Sequence, residues 1–200
     1  RRRFELPIVA VTGSNGKTTV KEMVGTILRR HFAGPGEDAG VLVTWGNLNN
    51  HIGVPITLLW MRDSHRAAVI EMGASARREI ARLAAIAAPG IAIMTNAGPA
   101  HLGGFGGTLR DVAEAKGELF AGLPAGSVAV INRDDPFYGY WRGLRDDITY
   151  RSFGLSAEAD YRAVDVQALG VQGLRFRMLT PSGEIPVNLP MAGGHNVHNA

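Results

Sequence analysis

A run of mostly β-branched residues, Ile8-Val9-Ala10-Val11-Thr12, leads into Gly13-Ser14-Asn15-Gly16-Lys17-Thr18-Thr19, and a stretch of helical periodicity follows. Strand, glycine turn and helix N-terminus in that order make an anion cradle. Glycines let backbone N–H groups approach a phosphate, and the helix dipole favours negative charge at that end. In such a loop Lys17 reaches the β/γ-phosphates of a nucleoside triphosphate and the Thr18 hydroxyl binds Mg²⁺. The full phosphate-loop pattern has a further glycine where this chain has Val11, so the match is to a shorter G-x-x-G-K-T-T form. A strand–turn–helix with a surface lysine is the plain alternative. The order of elements favours the triphosphate site.

The first strand is read over 7–12 and the helix over Lys17 to Phe32, with Val20, Met23, Val24, Ile27, Leu28 and His31 on one stripe. Residues 34–40 read as a mobile loop and Val41 to Thr44 as a short strand, before the polar turn 45–50. Pro55 suits the first turn of a helix running to about Met61. Ala67 to Glu71 reads as a buried strand. Ser75 suits an N-cap for a helix that puts Ile80, Leu83, Ala84 and Ala87 inward and stops at Pro89-Gly90. Ile91 to Thr95 is the next strand, and a glycine-rich loop spans Gly103 to Gly107. Thr108 caps a helix to about Gly122, Val128 to Ile131 is a strand, and Asp134 reads as the N-cap of a short helix. From about Asp147 alternation replaces helical periodicity: Leu174, Phe176 and Met178 point one way, Arg175 and Arg177 the other. The expected fold is α/β of phosphate-loop type. A mainly parallel sheet is flanked by helices, with an antiparallel β extension over 147–190.

Composition narrows the classes. Hydrophobic residues at 46% and charged ones at 20% exclude a disordered chain. There is no cysteine, hence no disulfide or thiolate metal site. No stretch approaches the ~18 uninterrupted apolar residues of a membrane span, and no signal peptide is visible. A net charge of +3 is spread along the chain without a basic cluster or nucleic-acid motif, so no nucleic-acid partner is expected. Eighteen of the 21 basic residues are Arg; the three lysines are Lys17, Lys21 and Lys116. Where arginine serves for plain charge, a retained lysine is a candidate for chemistry that guanidinium cannot perform.

Ligands of open α/β sheets bind beyond the carboxyl ends of the strands. The phosphate loop, Glu71, His101 and Asn132 all fall there. Glu71 suits a ligand of the nucleotide's Mg²⁺, against the alternative of a strand-end carboxylate in solvent. Lys116 lies four residues after Val112 and three or four before Leu119 and Phe120, on the apolar, sheet-facing stripe of its helix. A lysine there must be neutralised, paired or chemically altered, unless it snorkels to the helix edge. His101 alone suits a hydrogen-bonded loop filler as well as a ligand, and Asn47, Asn49 and Asn50 could be turn formers.

Taken together these segments resemble the central ATPase domain of the Mur ligases. The resemblance rests on Thr12 to Thr19, Gly46 to Pro55, Val69 to Ala74, Thr95 to Leu102, Ala115 to Glu118 and His195 to Ala200, in that order. It implies ATP-dependent amide-bond formation through an acyl phosphate in peptidoglycan precursor synthesis. The Gly46-Asn47-Leu48-Asn49-Asn50 segment points to the branch that adds D-Ala-D-Ala to a UDP-N-acetylmuramoyl-tripeptide. On that resemblance Gly13, Ser14, Asn15, Gly16, Lys17, Thr18 and Thr19 hold the triphosphate, and Thr18 and Glu71 serve one Mg²⁺. His101 and Lys116 serve a second Mg²⁺ that bridges γ-phosphate and substrate carboxylate, with Lys116 carbamylated. Asn132, His195 and Asn196 match positions near the adenine, while Asn47, Asn49 and Asn50 line the substrate side. Gly103 stands where the family has Glu, and Gly107 where it has Ser. The chain is expected to be a cytoplasmic fragment of a longer enzyme, without its UDP-sugar and C-terminal domains. Alone it should bind nucleotide weakly and ligate nothing. A monomer is the expectation, with oligomeric state open. Two rivals stand: a related ligase, such as the lysine- or diaminopimelate-adding Mur ligase or folylpolyglutamate synthase, and a nucleotide-binding module without ligase activity.

Overall fold

The computed structural model describes residues 3–33 and 40–200; the loop expected at 34–40 lies, up to residue 39, outside the described residues. Nine strands form one sheet: β1 (Ile8–Thr12), β2 (Val41–Val43), β3 (Ala67–Glu71), β4 (Ile91–Met94), β5 (Val128–Asn132), β6 (Thr149–Gly154), β7 (Tyr161–Ala168), β8 (Leu174–Thr180) and β9 (Gly183–Leu189). Their order is β2-β3-β1-β4-β5-β6-β7-β8-β9. Among the described residues seven α-helices accompany them: α1 (Lys17–Phe32), α2 (Gly53–Leu59), α3 (Glu79–Ala87), α4 (Leu102–Phe105), α5 (Leu109–Ala121), α6 (Tyr138–Arg142) and α7 (Asn196–Asn199).

β1 is central because it is apolar on both faces, and all five of its residues are buried. Ile8 and Ala10, with Ala68, Ile70, Ala92, Met94, Ala129 and Ile131, face the layer of α2, α3, α5 and α6. Trp141 is fully buried there, its indole N–H donating to the Ala113 carbonyl at 2.9 Å. Val9, Val11 and Val69 face α1 through Val20. That second face is thinner: Ile27 of the expected stripe is 64% exposed and His31 lies at the surface.

The chain leaves β1 for β2 at the sheet edge, returns through β3 on the same side and then crosses to β4 on the other, so strand order reverses at β1. The parallel registers Val11↔Glu71, Thr12↔Met94 and Met94↔Ile131 bring the loops after β1, β3, β4 and β5 level with one another. A crevice at that switch is where such sheets hold ligands.

Three local expectations change. The stretch 147–190 is all β, but β6 pairs in parallel with β5, and β7 begins in parallel with β6; antiparallel pairing starts only between β7 and β8. α3 starts at Glu79 behind Arg78, which has a left-handed φ of 66°; Ser75 does not cap it but donates to the Glu79 carboxylate from its own N–H at 2.7 Å. Asp134 is no helix cap. Its carboxylate accepts from the N–H groups of Leu155 (2.6 Å) and Ser156 (2.9 Å) and meets His198 Nε2 at 2.8 Å. Thr108 does cap α5, in a capping box with Asp111. The loop expected at 103–107 contains most of the single turn α4.

Candidate active site

Gly13 and Gly16 adopt φ of 150° and 81°, conformations that favour glycine. The space is closed as well: a Cβ on Gly13 would overlap the Thr95 hydroxyl, and one on Gly16 would overlap the Asn199 side chain. The segment after β4 braces the loop. Ser14 N–H donates to the Asn96 carbonyl (2.9 Å) and Asn15 N–H to Asn96 Oδ1 (3.0 Å), while the Thr95 hydroxyl donates to the Asn15 carbonyl (2.6 Å). Ser14 Oγ both donates to the Gly98 carbonyl and accepts from Gly98 N–H. These bonds hold the loop open and turn the start of α1 outward, where a helix cannot satisfy its first N–H groups internally.

Lys17 folds back over the loop, its Nζ donating to the carbonyls of Gly13 and Ser14 at 2.9 Å each. Burial lowers its pKa, and the charge of Glu71 opposes that shift. Lys116, 3% exposed, reaches the same point from α5 and donates to the Gly13 carbonyl at 3.0 Å, above the Phe105 ring. Burial, and then repulsion by Lys17, pull its pKa down to about 8. The sheet-facing position read from helical spacing is therefore the observed one, and the amine is partly neutral near physiological pH.

Glu71, at the end of β3, is 1% exposed. Its Oε1 accepts from Asn49 Nδ2 at 2.8 Å, while Oε2 is buried without a hydrogen-bond partner. An orphaned carboxylate oxygen fits a divalent cation, because a metal would satisfy what no donor here does. Among the described residues no three His, Asp or Glu side chains group to hold a metal alone. Mg²⁺ takes one or two carboxylates and completes its shell with phosphates and water, so the single carboxylate of Glu71 fits it.

Gly13, Lys17, Asn49, Asn50, His101 and Lys116 line one cavity of about 310 Å³. His101 sits at its rim in a left-handed conformation (φ 58°) that starts α4. Across the loop, Asn15, Gly16, Thr19, Asn132 and His195 line a second cavity of about 650 Å³. Thr18 is exposed in the first turn of α1 and is in the lining of neither cavity. Several of the expected residues also make bonds within the protein. Asn50 Oδ1 accepts from Ile52 and Gly53 N–H in the turn that leads into α2, and Asn49 ties Glu71. Asn47 lies exposed in its turn. Asn196 is buried and donates to the Ala192 carbonyl at 2.8 Å. Asn132 donates to the Thr95 carbonyl at 3.1 Å. The sequence reading gave no role to Asn96, which braces the loop, or to Lys21, whose only signal was its membership of the three lysines.

Comparison with known proteins agrees with this geometry. The family profile for the Mur ligase middle domain matches residues 11–200. The UDP-N-acetylmuramoyl-tripeptide–D-alanyl-D-alanine ligase of Haemophilus influenzae is 42% identical over 200 residues, covering all of this chain and 42% of the relative. A crystal structure of MurF from Acinetobacter baumannii superposes with a TM-score of 0.90 at 38% identity, over 99% of this chain and 41% of that one. MurF of Thermotoga maritima, solved in complex with ADP, gives 0.85 at 29% identity, over 99% of this chain and 44% of that one. The chain thus spans less than half the length of the curated relatives it matches. It belongs to the Mur ligase middle-domain family.

Proposed function

We propose that this domain binds ATP and Mg²⁺ for a cytoplasmic ligase that joins D-Ala-D-Ala to a UDP-N-acetylmuramoyl-tripeptide. The observation that carries the reading is the meeting of Lys17 and Lys116 on one carbonyl of the phosphate loop, in the cavity that His101 lines. A pure binding module needs the loop but has no use for a buried lysine from another helix. The ADP complex of the Thermotoga relative and the names of the curated relatives support the substrate classes.

In this reading the first-turn N–H groups of α1 and the Lys17 ammonium hold the β- and γ-phosphates, Lys17 leaving its loop carbonyls to do so. The tripeptide carboxylate attacks the γ-phosphorus, ADP leaves, and the acyl phosphate is then attacked by the D-Ala-D-Ala amine, releasing phosphate. Thr18 and Glu71 would hold one Mg²⁺, and His101 with Lys116 a second. The ions supply charge neutralisation at the phosphate oxygens. Lys116 would serve best as a carbamate: its neutral amine nitrogen bonds the carbon of carbon dioxide and gives up a proton to water, so an amine otherwise protonated becomes an anionic ligand. Arginine cannot do this. The remaining domains of the longer enzyme grip the UDP sugar and the incoming amine.

Positional isotope exchange tests the reading in the full-length protein. With the UDP-muramoyl-tripeptide present and D-Ala-D-Ala absent, ¹⁸O placed in the β,γ-bridge of ATP should scramble into the β non-bridge positions. Absence of scrambling, with nucleotide bound, would reduce the domain to a binding module. The 200-residue chain by itself should bind ADP weakly and form no ligated product.

A further inference from the structure

All three lysines come to one end of the sheet. Lys17 and Lys116 meet at Gly13, and Lys21 lies beside Glu71. The proposed chemistry uses the first two and leaves the third idle. Yet the Lys21 side chain is fully enclosed, at 0% exposure, one helical turn past Lys17 on α1. Its ammonium is 2.9 Å from Glu22 Oε1, 3.3 Å from the Gly46 carbonyl oxygen and 3.7 Å from Glu71 Oε2. That last atom is the carboxylate oxygen without a hydrogen bond.

Enclosing an ammonium is costly, and an apolar side chain of similar length would fill the space without that cost. Glu22, whose side chain is 55% exposed, shares the Lys21 ammonium with Glu71, so two carboxylates face one ammonium. The cluster therefore keeps net negative charge for a cation. What Lys21 adds is geometry. It touches both the end of β3 and the start of the Asn-rich segment, and Asn49 closes the circuit: its Nδ2 donates to Glu71 and its carbonyl accepts from Gly73 N–H at 2.8 Å.

We infer that Lys21 is a positioning residue for the metal-binding carboxylate, which rests on the reading of Glu71 as a Mg²⁺ ligand. At 3.7 Å the ammonium holds Glu71 Oε2 by charge without consuming it in a hydrogen bond. At the same time it fastens the Gly46–Asn50 segment to the same point. The helix that opens at the phosphate loop thereby sets the metal carboxylate and the substrate-side segment together.

The test uses the full-length protein with Lys21→Met, Lys21→Gln and Lys21→Arg, and Mn²⁺ as the probe. Mn²⁺ affinity is read by electron paramagnetic resonance in the presence of ADP. ADP affinity in EDTA and the melting temperature are measured alongside. Lys21→Met and Lys21→Gln should weaken Mn²⁺ binding about tenfold or more, the range for groups that orient metal ligands. ADP affinity in EDTA should stay within about twofold, because Lys21 makes none of the phosphate-loop bonds. Lys21→Arg keeps the charge and should recover part of the Mn²⁺ affinity. Lys21→Gln retains a donor for Gly46 and carries the test if Lys21→Met does not fold. Unchanged Mn²⁺ affinity in a folded Met or Gln variant overturns the inference. So does a parallel fall in Mn²⁺ and metal-free ADP affinity, which would mark a plain structural role. If the unmodified protein binds ADP but no Mn²⁺, the reading of Glu71 fails first and the inference with it.

Discussion

At the carboxyl ends of β1 and β3, Lys116 is buried with no carboxylate partner among the described residues, and Glu71 Oε2 accepts no hydrogen bond, with the Lys21 ammonium standing off at 3.7 Å. On the β7–β9 ribbon, Arg177 is half exposed and has two carboxylates, Asp165 at 2.6 Å and Glu184 at 2.5 Å. Arg177 is paired twice and screened by water, and such exposed pairs contribute little. The strand-end charges are enclosed, and each deficit can be relieved by a ligand: a metal for Glu71, carbon dioxide or an anion for Lys116. A fold that stores unsatisfied charge at one edge and pairs it off at another marks the edge where chemistry occurs.

The contrast breaks most visibly at Lys116. In the full-length protein Lys116→Arg should lower kcat by roughly 10³-fold or more, since a catalytic charge in phosphoryl transfer has that magnitude. Steady-state assay of phosphate release reads it, and activity within about tenfold of the unmodified enzyme would show that no amine chemistry is needed there. Gly13→Ala should come next. Overlap with Thr95 at a left-handed φ is expected to destabilise the chain by about 2–4 kcal/mol, read by urea denaturation, and to weaken ADP binding.

The third effect is a pH dependence. Lys116 has a folded-state pKa of about 8 against the usual 10.5, so the folded chain binds the proton less well than the unfolded one. The penalty is fully present below about pH 8 and is relieved as pH rises toward 10.5, so stability should rise across that window. The 2.5-unit difference corresponds to about 3 kcal/mol. Chemical denaturation at pH 7.5 and 10 should show about 2 kcal/mol of that gain relative to Lys116→Met, which has no penalty to lose. Parallel pH profiles for the two proteins would refute it. The smallest effect belongs to the ribbon: Arg177→Met should move the melting temperature by no more than about 2 °C and leave nucleotide affinity unchanged.

What was legible in the sequence divides along the same line. The phosphate loop was visible because glycine spacing and flanking elements are local, and Lys116 because helical spacing alone fixes its face. Lys21 was not, since its enclosure depends on Glu71 and Gly46, which arrive from 50 and 25 positions along the chain. Asp134 read as a cap because local helix signals hid its distant partners at Leu155, Ser156 and His198. Asn50 lines the cavity as expected, but its bonds to Ile52 and Gly53 N–H were not legible, because a turn-forming asparagine and a binding one look alike in sequence. Alternation revealed β6 as a strand but carried no information on whether its neighbour runs parallel.

With only three lysines in the chain, their ε-CH₂ resonances can be followed singly by ¹³C NMR, assigned with Lys116→Met. Lys116 should titrate near pH 8, and ¹³C-bicarbonate at pH 8 should add one carbamate signal that is lost in Lys116→Met. A Lys116 that titrates above pH 10 and forms no carbamate would contradict the claim that this buried lysine is a reactive amine held at the phosphate loop.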